Sequence, residues 1–304
     1  MSIRHEQNIL TFSACGSLFF ALLALTWGVL ARSQMIMFDG VYSFISLVLT
    51  GLYFYAARSI AMGSDENFPF GRAQIEPMVI VVQSIVLIVI CIKAFSGAVS
   101  SLFSGGQEIN SLSGMGYAAV GVIGCFISWH YITRVGRKNV PQSILIKTQG
   151  SQWFMDTLLS LAVLIGFFIS YIIQRAGYGQ YARYMDSLMV IVAVLFFIRE
   201  PIVSFIGGIR GILIMAPEKT VYNASKHAVK EIAEQRGFED VVLRLGKSGR
   251  ELICEVTFVA KDPNNSCKVG EMDDMHREVE SCLRKVLDSP LRLSVSFVHD
   301  RKLG

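Results

Sequence analysis

Six stretches of this chain, at about 9–31, 36–57, 77–103, 114–134, 145–173 and 185–207, run for roughly 20 residues each with hardly a charge. A helix of that length spans the hydrocarbon of a bilayer. Within lipid only helices and closed barrels satisfy their own backbone. The pattern therefore predicts an α-helical membrane protein with six transmembrane helices. The first stretch, Ile9 to Ala31, is longer than a signal-peptide core and has only Arg4 as a basic residue ahead of it, so it is expected to remain as the first span.

The charges divide the chain a second time. Residues 1–215 carry 22 charged side chains, whereas the last 89 residues carry 30. No single solvent selects both densities, and a domain boundary near residue 215 is expected: 1–215 for the membrane domain, 216–304 for a soluble one. The net charge of +4 lies in the first part, where basic loops set topology, and it gives no reason to expect a nucleic-acid partner. Among short-loop residues, Arg4, Arg58, Arg72, Arg134, Arg137, Lys138 and Lys147 fall on one side, and Arg32, Arg175 and Arg183 on the other. The excess of basic residues places both termini in the cytoplasm of a cell with the protein in its inner (plasma) membrane.

From Glu218 the periodicity changes. Val221, Ala224, Ala228, Val229 and Ile232 form a helical stripe; Val241, Leu243 and Leu245 alternate; Lys247-Ser248-Gly249 turns the chain into a second strand over 252–259. A helix over about 270–288 and a strand from Leu291 to Val298 complete an αββαβ unit. A piece this small has little core of its own, so docking or dimerisation is expected.

Several local patterns carry little. Gly246-Lys247-Ser248 lacks the glycine five positions earlier that a phosphate-binding loop needs, since Val241 stands there. His276 with Asp273 and Glu280 shares one helical face, which reads as a solvated face rather than a metal site. His299 and Asp300 are read the same way. The six cysteines form no CxxC pair, and free thiols are expected. Asn223-Ala224-Ser225 and Asn264-Asn265-Ser266 match glycosylation acceptors that a cytoplasmic tail would not expose to the enzyme. No nucleophile-and-base pair suggests an enzyme.

Ionisable residues at membrane depth cost at least about 2.5 to 3.5 kcal/mol, so each needs a reason. Asp39 falls in the first turn of the second stretch, and Asp156 well inside the fifth between Phe154 and Leu158. Ser43 follows Asp39 by four and Gln152 precedes Asp156 by four, so each pair shares a helix face. Two such helices facing one another would bring four oxygen donors round a cation. The alternative for the first pair is an interfacial, helix-capping Asp39 with Ser43 as a small packing residue. Lys93 is read as snorkelling to the interface. Pro201, after Arg199-Glu200, is expected to kink or end the sixth helix, and Glu76 and Asp186 stand at helix starts, where negative charge is favoured. Gly16, Gly28, Gly121, Gly124, Gly207 and Gly208 are read as close-packing positions.

Phe38-Asp39-Gly40, the run Phe68-Pro69-Phe70-Gly71-Arg72-Ala73-Gln74-Ile75-Glu76 and Gln152-Trp153-Phe154-Met155-Asp156, with six spans and an αββαβ tail, resemble the cation diffusion facilitator family over about residues 5–300. The resemblance implies a homodimeric secondary antiporter that moves divalent metal out of the cytoplasm against protons, with a ferredoxin-like cytoplasmic domain and no resident cofactor. The family's site, carried over by position, falls on Asp39, Ser43, Gln152 and Asp156 as metal ligands. Two of the four are not the family's usual acids or imidazoles. Zinc draws on thiolate, imidazole and carboxylate, whereas an oxygen-only set suits manganese, magnesium or ferrous iron, or sodium. A sodium/proton exchanger and a non-transporting, regulatory member with a decayed site are the alternatives.

Overall fold

The structure is a computed structural model that describes residues 2–60, 62–139, 144–249, 251–261, 269–287 and 290–299. Cys267, Asp300 and the acceptor at 264–266 lie outside the described residues. Eight helices come first: α1 Ser2–Ala31, α2 Gln34–Ile60, α3 Ile75–Phe103, α4 Ser111–Asn139, α5 Ile144–Arg175, the short α6 Gly179–Ala182, α7 Met185–Phe197 and α8 Arg199–Ile212. They supply six segments long and apolar enough to cross a membrane. The helices overrun the apolar stretches, at both ends except in α1 and α3, which stop with their stretches at Ala31 and Phe103, because backbone hydrogen bonding continues past the point where side chains turn polar.

The sixth span is the most altered. It begins with α6 at Gly179 and reaches Ile212, and its main helical segment is divided at Ile198. Pro201 is the third residue of α8, a first-turn position where its missing N–H leaves no hydrogen bond unmade. The proline therefore marks a new helix start within the span rather than its end.

The chain separates into two compact units, Met1–Leu52 with Gln83–Ile202, and Tyr53–Val82 with Val203–Gly304. In the first, Ile36, Phe38, Phe167 and Val190 are buried in one cluster, and Phe197 packs its ring against Tyr42 at 4.9 Å. At Gly40 α2 lies close against α1: a Cβ there would lie 2.8 Å from the backbone nitrogen of Leu25 and 2.9 Å from Ala24 Cβ. Five of the six glycines read as packing positions are filled against a neighbour in this way, whereas Gly207 faces open space.

In the second unit, α9 Lys219–Gln235, β1 Asp240–Ser248, β2 Glu251–Val259, α10 Val269–Val286 and β3 Leu291–Val298 form the αββαβ tail. β2 is central, antiparallel to β1 and parallel to β3. Leu252, Cys254, Val256 and Phe258 project to one face and are buried with Val229 of α9 and Val279 and Leu283 of α10. The other face is polar, with Arg244 beside Glu255 and Thr257 bonded to Ser296. The β1–β2 turn needs glycine at Gly249, where φ is +56° and a Cβ would meet Glu76 Oε2 at 2.9 Å and the Ala73 carbonyl at 3.1 Å.

The run from Asp65 to Arg72 is a self-bonded turn. Asp65 Oδ1 accepts from the amides of Asn67 and Phe68 at 3.1 and 2.8 Å. Arg72 pairs with Asp65 and lies 4.5 Å over the Phe68 ring, while Gly71 takes φ +77°. These residues hold the loop before α3 in shape.

Candidate functional site

Asp39 is the sixth residue of α2, not a first-turn cap. The cap is Ser33, whose Oγ accepts from the Ile36 amide at 3.2 Å. The negative charge at this helix start comes from Asp186 of α7, fully buried, which accepts from Ser33 Oγ and the Gln34 amide at 2.6 Å each and from the Met35 amide at 3.4 Å. Asp186 therefore serves the N-terminus of α2 as well as standing in its own helix's first turn. Asp39 is left inside the bundle, half-buried, with the hydroxyl of Tyr117 donating to its Oδ2 at 2.7 Å.

Asp156 lies on α5 within electrostatic reach of Asp39. Much of the volume around it is protein, yet Asp156 itself is exposed at the surface of the bundle. The two carboxylates expected from α2 and α5 are thus brought into one electrostatic neighbourhood. Ser43 is half-buried one turn after Asp39, and no hydrogen bond joins it to either carboxylate among the described residues. Gln152 is exposed, and its Oε1 accepts from Gln149 Nε2 at 2.9 Å. One carbonyl lone pair remains for another partner. Gln149 in turn accepts from Ser13 of α1, and Trp153 Nε1 donates to Ser13 Oγ at 2.8 Å.

Spacings of three and four place Gln149, Gln152, Asp156 and Ser160 along one face of α5 as a polar stripe. α4 supplies the opposing surface. Tyr117, Gly121 and Cys125 recur at intervals of four. Cys125 lies beside Ser160 and within electrostatic reach of both carboxylates, and a Cβ at Gly121 would stand 3.1 Å from Ser160 Oγ. Sequence reasoning restricted to the second and fifth spans missed this wall. Its signal was a tyrosine and a cysteine on one face of an apolar helix, which resembles ordinary packing.

No three His, Cys, Asp or Glu side chains converge as a metal site among the described residues. In the tail, Glu280 is bonded by Arg284 at 2.7 Å, and His276 gains no second ligand from it. As candidate ligands the two carboxylates, with the Ser43 hydroxyl one turn after Asp39 and the Gln152 amide one turn before Asp156, are of the oxygen type that hard ions prefer.

A family model for the cation efflux transmembrane domain matches residues 10–213, two thirds of the chain. The chain belongs to the cation efflux family. With six apolar helices this cation efflux protein is a multi-pass membrane protein. It is similar to the manganese efflux system protein MneS of Bacillus subtilis (strain 168), with 23% identity over 154 residues, which is 51% of this chain and 52% of MneS. The match thus spans about half the length of that relative.

Proposed function

We propose that this cation efflux family member is a secondary transporter that exports a divalent metal cation from the cytoplasm in exchange for protons. Asp39 and Asp156 are the charged ligands, with Ser43 and Gln152 as neutral oxygen donors. The observation that carries the reading is the pair of carboxylates held within electrostatic reach of one another between membrane helices. Manganese is the leading cargo: the donors are all oxygen, and the similar protein from Bacillus subtilis is named for manganese efflux. Cytoplasmic cation would displace protons from the pair, a change of access would expose the site to the far side, and protonation there would release the ion. No histidine stands at the four positions, so protons would travel on the carboxylates themselves.

The same reading assigns residues 1–215 to transport and 216–304 to a cytoplasmic domain that pairs two copies, with both termini on the cytoplasmic side of the plasma membrane. Proteoliposomes loaded with a pH gradient test the central claim. Wild type should exchange manganese against protons, and Asp156→Asn should not. Intact exchange in that variant would overturn the proposal. A panel of manganese, magnesium, ferrous iron, zinc and sodium in the same vesicles identifies the cargo.

A further inference from the structure

Among the described residues, Asp39 has one side-chain hydrogen-bond partner, and it comes from α4, which contributes none of the four proposed ligands. Tyr117 donates to Oδ2 at 2.7 Å. The phenol is firmly held. The residue is 7% exposed, and its ring packs against Trp27 of α1 with centroids 6.3 Å apart. Trp27 is itself clipped to α4: Nε1 donates to the carbonyl and hydroxyl oxygens of Ser113 at 3.1 and 3.0 Å, one turn before Tyr117. Tyr117 also lies within electrostatic reach of Asp156. A rigid, neutral donor thus fixes one oxygen of the carboxylate and leaves the other for an ion.

Resting on the reading of Asp39 as a cation ligand, we infer that Tyr117 is a positioning residue that holds Asp39 to single-oxygen coordination and so discriminates between divalent ions. Manganese and magnesium accept single oxygens in octahedral shells. Calcium is larger, takes roughly six to eight oxygens and uses carboxylates with both oxygens at once. With Oδ2 tied to Tyr117, a calcium ion loses that option while a small octahedral ion loses nothing. The hydrogen bond also fixes the orientation of the remaining oxygen, the usual service of a residue that bonds a metal ligand from behind.

The test compares full-length wild type, Tyr117→Phe and Asp39→Asn in proteoliposomes, with manganese uptake measured against concentration and calcium as competitor. Tyr117→Phe should raise the KM for manganese about tenfold, leave kcat little changed, and leave the inhibition constant of calcium unchanged or lower, so that the manganese-to-calcium preference narrows by about the same factor. A KM for manganese equal to that of wild type overturns the inference, as does a parallel rise for both ions. Normal transport by Asp39→Asn would instead remove the reading on which it rests. Should Tyr117→Phe fold poorly by thermal melting, Trp27→Phe unclips the indole from Ser113 while keeping the phenol, and should narrow the preference in the same direction by a smaller factor.

Discussion

Ser33 and Asp186, 153 residues apart, meet through a 2.6 Å hydrogen bond that ties the first turn of α2 to the start of α7. The buried carboxylate is satisfied by three donors from one helix end. It answers both the orphan amides and the positive pole of α2.

Removing that carboxylate should destabilise the bundle. Asp186→Ala leaves Ser33 Oγ and the Gln34 and Met35 amides without their acceptor, a loss of about 3 kcal/mol, whereas Asp186→Asn keeps one acceptor and should cost about 1 kcal/mol. Thermal denaturation of the detergent-solubilised protein should rank the melting points wild type, Asn, Ala in descending order. Equal melting points would show that the turn is held by something else.

Gly40 should not tolerate even a methyl group. Gly40→Ala places a Cβ against the backbone of Leu25, where the neighbour is a helix and cannot swing aside. The expected penalty is about 1 to 3 kcal/mol, with lower yield of folded protein by size-exclusion chromatography. Gly207→Ala, facing open space, is the matched control and should behave as wild type.

Metal preference should follow the chemistry of position 152. Gln152→His supplies an imidazole beside Asp156 in place of an amide that Gln149 already occupies, and should move selectivity towards zinc. Competition by zinc against manganese in vesicle uptake measures this. If Gln152 stands outside the cation's reach, the preference will not change.

In the tail, burial pushes the Cys254 thiol up to about 12. The neutral thiol is the form the fold accepts. Since the folded value lies above the unfolded one of about 9, this contribution to stability is complete below pH 9 and declines as pH rises from there towards 12. At pH 8 the native protein should therefore react with maleimide at Cys282, which is part-exposed in the same tail, long before Cys254. Mass spectrometry of labelled peptides gives the order, and rapid labelling of Cys254 would show that the sheet opens.

The tail could be read closely from its sequence because Leu243 and Leu245 flank Arg244, and Leu291, Leu293, Val295 and Phe297 alternate with Arg292, Ser294 and Ser296, so strand faces were visible in the residues themselves. The membrane helices offered length but not facing. An apolar helix carries no stripe to say which neighbour it meets, and so the bond from Tyr117 to Asp39 could not be foreseen. Asp39 was placed a turn too near the helix start for a related reason: Ser33, the true cap, is one ordinary serine among several, and its partner Asp186 lies far away in sequence. Pro201 was legible as an interruption, but whether the chain stops or restarts there depends on packing beyond it.

With Asp186 employed in holding α2, the proposed cycle rests on two carboxylates, Asp39 and Asp156. Two negative charges cancel one divalent cation, and two protons cancel them equally well. On the proposed cycle, the occupied bundle would be electrically neutral in both directions of travel, with two protons returning for each metal ion. Its turnover would then answer to concentration gradients and be indifferent to the voltage across the membrane.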